Sequence, residues 1–152
     1  MTSSPFPVSL APPGSSSSGL DALYLECWSI LTPYRKSGKM GTLYRVGFEK
    51  SVRDGRFYLV LNENGLLLGF MQLSVKKRLL CLSVDRVAVR KTSLRQGIGT
   101  QLLAVAKAQA DAKSMPLRLR VANTNSDALA FYTALGFQPV ETSALTTALV
   151  LR

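Results

Sequence analysis

Val87-Ala88-Val89-Arg90-Lys91-Thr92-Ser93-Leu94-Arg95-Gln96-Gly97-Ile98-Gly99-Thr100-Gln101-Leu102-Leu103 is the stretch on which the reading of this chain turns. An apolar strand runs into a basic loop, two glycines spaced by one residue follow, and a helix begins. Those are the parts of an anion site. Glycines let backbone N–H groups turn inward and approach an anion closely. A helix N-terminus adds unpaired N–H donors and partial positive charge. Arg90, Lys91 and Arg95 add full charges. Two phosphate motifs do not fit. The dinucleotide fingerprint asks for a third glycine where Leu102 stands. The Walker pattern asks for Gly-Lys-Ser/Thr, which is absent. A plain strand-to-helix turn built from flexible residues is the competing reading of the same letters.

Upstream, residues 79–89 read as the last strand of a meander, after strands at 57–61 and 66–75. Asn62-Glu63-Asn64-Gly65 joins the first two, because Asn-Gly tolerates the positive φ that tight hairpin turns demand. Lys76-Lys77-Arg78 reads as a solvated basic turn. Further back, residues 20–31 read as a helix capped by Ser18 or Asp21 and stopped by Pro33. A basic loop over 34–38 and a second helix over 39–52 follow. Phe6, Val8 and Leu10 alternate with other residues, the period of a half-buried strand. Residues 1–19 are therefore a short first strand and loop, or a disordered tail. Downstream, residues 100–113 read as a helix with Leu102, Leu103, Ala106 and Ala110 on one side. A strand at 117–121 comes next, then a helix capped by Asn125 or Ser126 and ended by Gly136. Residues 137–140 and 146–151 read as closing strands. No internal repeat is visible, and a single domain over 1–152 is expected.

The chain has 152 residues, with 47% apolar and 18% charged, the balance of a folded globular protein. No apolar run approaches the roughly 20 residues that cross a bilayer. No basic n-region precedes an apolar run at the N-terminus, so a cytoplasmic protein with no membrane partner is expected. The absence of histidine excludes Ser-His-Asp and Cys-His machinery. Cys27 and Cys81 are too few for a disulfide framework and, without histidine, make a zinc site improbable, so no metal is expected. Proton transfer must fall to Asp, Glu, Tyr, Cys, Lys, water or backbone. The net charge of +10 attracts anions, whether nucleic acid, acidic protein or a polyphosphate cofactor, or serves solubility alone. It argues against polycationic substrates. No DNA- or RNA-binding motif accompanies it, so nucleic acid is not favoured as a partner.

The second informative stretch is Asn125-Ser126-Asp127-Ala128-Leu129-Ala130-Phe131-Tyr132-Thr133-Ala134-Leu135-Gly136-Phe137. With it, the sequence resembles the GNAT superfamily of N-acetyltransferases. The strand, basic loop, Gly97-Ile98-Gly99 and helix look like the family's motif A. Asn125, Ala128, Phe131-Tyr132 and Gly136-Phe137 look like its motif B, in the same order and at the same separation. The two span about residues 80–140.

The resemblance implies an α/β (α+β) fold with a mixed, mostly antiparallel central sheet and about four flanking helices. The sheet would splay into a V-shaped cleft between the strands at 79–89 and 117–121. It also implies acetyl-CoA as co-substrate. The pantetheine arm would pair with backbone groups near Val87, Ala88 and Val89, and the pyrophosphate would sit on N–H groups of Arg95, Gln96, Gly97, Ile98, Gly99 and Thr100. Asn125 would touch the arm or order its loop. Tyr132 would point at the thioester sulfur and protonate the leaving thiolate. The sequence departs from the family at Leu94, three positions before the first motif glycine, where Gln or Arg is usual. Arg95 or Arg90 would have to replace that contact. Phe131 is read as core, and its neighbour Tyr132, facing elsewhere, as the functional member of the pair.

For the base that frees the amine, Asp85 is the candidate. With period two it shares a face with Val87 and Val89, looking into the cleft, and Ser83 and Cys81 lie further along that face. The alternative is a structural pairing of Asp85 with an arginine such as Arg120. A covalent route through Cys81 is disfavoured, because the cleft suits direct transfer in a ternary complex. The short final connection at 141–144 suggests an open groove, suited to a peptide N-terminus or a protein lysine. Tyr34 and Arg35 are candidates to line it, and Trp28 is read as core. A small-molecule amine, an acetyltransferase acting on charged tRNA, and an acyl-CoA-binding module without catalysis are the alternatives. A monomer or homodimer is expected.

Overall fold

The computed structural model describes residues 6–36 and 42–152. Within these residues, seven strands form one sheet: β1 (Val8–Leu10), β2 (Phe57–Leu61), β3 (Leu67–Lys76), β4 (Cys81–Val89), β5 (Leu117–Ala122), β6 (Gln138–Thr142) and β7 (Thr146–Leu151). Four helices flank it: α1 (Ser17–Lys36), α2 (Arg45–Arg53), α3 (Ile98–Ala112) and α4 (Ser126–Ala134). The strand order is β1-β2-β3-β4-β5-β7-β6. All neighbours are antiparallel except β4 and β5, which run parallel. The mixed, mostly antiparallel sheet expected from the sequence is the one observed.

The sheet opens at its parallel pair. β4 and β5 are in register only at Leu82↔Leu117 and Ser83↔Arg118. Beyond Ser83 the strands part, and β4 from Val84 to Val89 has no neighbour on that side. This leaves a row of backbone donors and acceptors facing a gap, a template for pairing with another extended chain.

Two apolar clusters occupy the two faces. On one, Ile98, Leu102, Leu103, Ala106 and Ala110 of α3 pack on Leu73, Leu82, Leu117, Leu119 and Leu149, with α4 added through Leu129, Tyr132 and Leu135. On the other, α1 and α2 cover a cluster that includes Phe48, Phe57, Phe70 and Ala88. The stack of Phe57 on Phe70 (centroids 5.5 Å) and the edge contact of Phe48 with Phe57 (5.1 Å) fix that layer.

Several boundaries move from the sequence expectation. α1 begins earlier, because Ser16 Oγ, not Ser18 or Asp21, accepts the Gly19 N–H at 3.2 Å. It also runs through Pro33 to Lys36, so the loop expected from Tyr34 is helix there. Proline removes one hydrogen bond. Tertiary contacts hold the last turn all the same, since Tyr34 Oη donates to the Val89 carbonyl at 2.6 Å. α2 starts at Arg45, and the expected start at residue 39 lies outside the described residues. β4 starts at Cys81, not at Leu79: the basic turn is longer, with Leu80 at φ 49 and both leucines exposed. The hairpin at residues 62–65 needs positive φ only at Gly65 (82), because Asn62 Oδ1 holds the turn by accepting from the N–H groups of Asn64 and Leu66.

Candidate functional site

The loop between β4 and α3 has the geometry of an anion cradle. A short 3-10 turn (Lys91–Ser93) leads out of β4. Arg95 then adopts φ 65 and Gly97 φ 79, both left-handed, on either side of Gln96. Left-handed residues among right-handed ones turn successive N–H groups to one side, which makes a concave nest for negative charge. Among the described residues, the N–H groups of Ile98, Gly99 and Thr100 meet no protein acceptor, and the first helical bond is Gln101 N–H to Gly97 O at 3.0 Å. Gly99 sits where an added Cβ would lie 3.4 Å from the Phe131 ring. Phe131 is thus 37% exposed beside the start of α3, not core as expected.

The charges around the loop divide. Arg90 is committed elsewhere: its Nε donates to the Leu67 carbonyl at 2.9 Å. Lys91 lies over the Tyr34 ring at 5.2 Å. Arg95 is exposed and makes no ion pair among the described residues. Of the two cations considered for the place of Leu94, Arg95 is therefore the one at liberty. Gly97 carries the geometry, since a β-branched residue there meets a left-handed backbone that costs about 1–2 kcal/mol. Gly97→Val is expected to weaken the loop's hold on a polyphosphate anion about tenfold, read by isothermal titration calorimetry.

Where β4 leaves β5, a cavity of about 170 Å³ opens, lined among others by Asp85, Arg86, Val87, Arg120, Asn125 and Tyr132. The two motif segments therefore meet in one place. Asn125 begins α4 by accepting the Ala128 N–H at 3.3 Å, so it orders its loop while bordering the cavity. Gly136 ends the helix at φ 102. Tyr132 packs edge-on against Phe137 (5.6 Å) on the α3 side of the sheet. Its hydroxyl has no hydrogen-bond partner among the described residues. Burial pushes its pKa up to about 12, against a smaller opposing effect of Arg86.

Asp85 reaches the cavity by a route that period-two reasoning misses. Arg86 pairs with Gln72 and Val84 with Leu73, so Asp85 is an extra residue with no partner on β3, a β-bulge. Before it, Leu82 and Val84 face the α3 cluster; after it, Val87 and Val89 do, while Ala88 faces the α1–α2 cluster. Asp85 therefore does not share a face with Val87 and Val89. It lies on the side of Ser83, whose Oγ donates to Asp85 Oδ1 at 2.9 Å, with Lys76 Nζ 3.8 Å away. Arg120 is not its partner; it pairs with Glu141 at 3.3 Å. Cys81 is buried, and desolvation raises its pKa, which leaves little thiolate for a covalent route.

Val87, Ala88 and Val89 lie on the open edge of β4, although Tyr34 already occupies the Val89 carbonyl. Tyr34 and Arg35 belong to α1, where the Arg35 guanidinium sits over the Trp28 ring at 4.9 Å. Sequence reasoning passed over Arg86. The available signal was a lone cation inside a strand that is mostly apolar. Among the described residues no group of acids, cysteines or histidines is placed to hold a metal ion, and no helix is long and apolar enough to cross a membrane.

Comparison with known proteins places this geometry. A GNAT family acetyltransferase from Listeria monocytogenes superposes with a TM-score of 0.77 at 15% identity, covering 96% of this chain and 94% of that one. The PaiA N-acetyltransferase of Thermoplasma acidophilum, solved in complex with coenzyme A, superposes at 0.76 with 16% identity over 97% of this chain and 98% of its own. A putative streptothricin acetyltransferase from Bacillus anthracis, solved with acetyl coenzyme A, gives 0.58 and 24% over 63% and 62%. Identities this low speak for the fold alone. No curated protein matches the sequence. The model of the acetyltransferase (GNAT) domain matches residues 53–139, which is more than half of the chain and holds the cradle, the bulge and α4, and this chain belongs to that family.

Proposed function

We propose that this protein is an acetyl-CoA-dependent N-acetyltransferase that transfers the acetyl group directly to a primary amine, on a peptide or protein, in a ternary complex. The observation that carries the reading is that the unpaired edge of β4 and Tyr132 border one cavity, while the N–H cradle follows directly after β4 and its Gly99 packs beside Phe131, the neighbour of Tyr132. The reading takes residues 1–152 as one domain, supported by the single sheet.

The residues present fit the co-substrate. Arg95, Gln96, Gly97, Ile98, Gly99 and Thr100 hold the pyrophosphate with backbone N–H groups and one guanidinium. The open edge of β4 at Val87, Ala88 and Val89 pairs with the amide-bearing arm as a further strand would, apart from the Val89 carbonyl, which Tyr34 holds. Acetyl-CoA supplies an activated thioester. The chain's own task is to orient it, to free the amine of its proton and to receive the charge that develops on sulfur.

Asp85 takes the amine proton. Ser83 and Lys76 fix its carboxylate at the bulge. Tyr132 stays protonated throughout the neutral range and donates a hydrogen bond to the leaving sulfur. A free thiol has a pKa near 8.5, well below the value of about 12 for Tyr132. Complete proton transfer to a solvated thiolate would thus cost roughly 5 kcal/mol. Tyr132 therefore acts first as a donor that stabilises the thiolate, and transfer completes when the same dry cleft raises the thiol's own pKa.

Thermal unfolding with acetyl-CoA, with ATP as a polyphosphate control, tests the reading. Ligand at 100 times its dissociation constant stabilises the native state by about 2.7 kcal/mol, a shift of several degrees. The expected result is a shift with acetyl-CoA and little with ATP. An equal shift with both reduces the loop to a general anion patch and overturns the assignment.

A further inference from the structure

The charges on the acceptor side of the cleft are unbalanced. Arg86 and Arg120 both line the cavity, and Asp85 is the carboxylate that lines it with them. Arg118 is in register with Ser83 across β5, so it stands on the same sheet face as the Ser83–Asp85 pair, and Arg120 follows two residues on. Arg118 and Arg120 share one carboxylate, Glu141 of the edge strand β6, each at 3.3 Å. Lys76 is 3.8 Å from Asp85. Around the opening, four cations thus face two carboxylates.

Arg86 is the unmet member. Among the described residues it has no ion pair. One amino group donates to the Thr42 carbonyl at 2.8 Å, and its Nε is shielded from solvent without an acceptor. The shielded Nε is closed to a ligand, and Nη1, which meets no acceptor among the described residues, is the group left to receive a partner at the cavity. Burial lowers its pKa, the mark of a charge poorly compensated by its surroundings. The partner that matches a guanidinium is a planar carboxylate, which takes two parallel N–H bonds.

We propose that the acceptor is an acidic amine, one whose own molecule carries a carboxylate close to the amine, received by Arg86 and Arg120 beside Asp85. This rests on the acetyltransferase reading and narrows its substrate class. An acidic acceptor is drawn by the net charge of +10 and held at the arginines, while its ammonium lies against Asp85. Lysine-rich or polyamine acceptors meet repulsion from the same groups.

The test is the release of free CoA thiol from acetyl-CoA with matched acceptors. Four-residue peptides identical except for acidic, neutral or lysine residues at positions two and three form one arm, and free glutamate and aspartate form the other. Acidic peptides, or the acidic amino acids, are expected to exceed the neutral and basic acceptors at least about tenfold in kcat/KM, the scale of one charge-assisted hydrogen bond. Which of the two arms leads distinguishes a peptide from a small acceptor. Arg86→Met is expected to collapse that ratio toward one and Arg86→Lys to restore part of it. Arg120→Gln, at a half-exposed position, provides the same readout should Arg86→Met fail to fold. Turnover with a preference for neutral or basic acceptors, or a ratio unmoved in Arg120→Gln, overturns the inference and leaves the acetyltransferase reading standing. Absence of thiol release with every acceptor, together with no thermal shift from acetyl-CoA, overturns both.

Discussion

Tyr132→Phe is expected to lower kcat about 100- to 1,000-fold while leaving the dissociation constant for acetyl-CoA within about twofold. The substitution removes one oxygen from a ring that keeps its packing on Phe131 and Phe137. Because that hydroxyl has no partner among the described residues, its loss leaves no buried group unsatisfied there, and the fold should be as stable as before. A fall in kcat at constant cofactor affinity would locate the hydroxyl's interaction in the transition state and not in the ground state. The measurement is steady-state thiol release, with calorimetry for the cofactor. A kcat within threefold of the parent would remove Tyr132 from the mechanism and return its ring to the core. An acyl donor whose leaving thiol has a lower pKa should be less sensitive to the change, since it needs less help at sulfur.

The fold was legible in the sequence where local rules and tertiary structure agree. Gly97 and Gly136 stand at left-handed positions that glycine alone occupies cheaply, and Asn125 caps the helix that it precedes. Apolar runs joined by the Asn-Gly turn placed the meander, because each of its strands has one face on each cluster. The misses share a cause. Pro33 ends a helix by local rules, yet the hydrogen bond from Tyr34 to Val89 holds another turn beyond it. Periodicity along β4 assumed one residue per step, and the bulge inserts Asp85 without a partner, which exchanges the faces on either side of it. Nothing local in Asp85-Arg86 marks that event. The bulge depends on β3 across the sheet and on the loss of β5 beside it, both of them long-range facts. The same event turns Arg86 from an odd cation in an apolar strand into a wall of the cleft. Leu94, a gap in the motif by sequence, is 48% exposed, and Arg95 beside it holds the strained backbone of the cradle. The proposed anion site thus leans on backbone geometry more than on side chains.

Asp85→Asn is expected to reduce kcat/KM at pH 7 about 100-fold, with a size that depends on the amine offered. At that pH roughly one lysine amine in 2,500 is neutral, against about one α-amine in ten. With a base in place the protein binds the ammonium form and strips the proton in the cleft. Without it, productive encounters are limited to amines already neutral. The variant's rate should therefore rise about tenfold per pH unit until the acceptor's own pKa is reached, near 8 for an α-amine and above 10 for a lysine. The parent should reach its plateau at lower pH. A structural role predicts something else. The contact of Asp85 with Lys76 joins side chains that are 27% and 48% exposed, and such pairs contribute at most about 1 kcal/mol. Were that contact its purpose, the variant would lose the same factor at every pH, together with a small drop in Tm. Measuring kcat/KM from pH 6 to 9.5 with one α-amine and one lysine acceptor separates the two, because only a missing base makes the loss shrink as the solvent takes over the deprotonation.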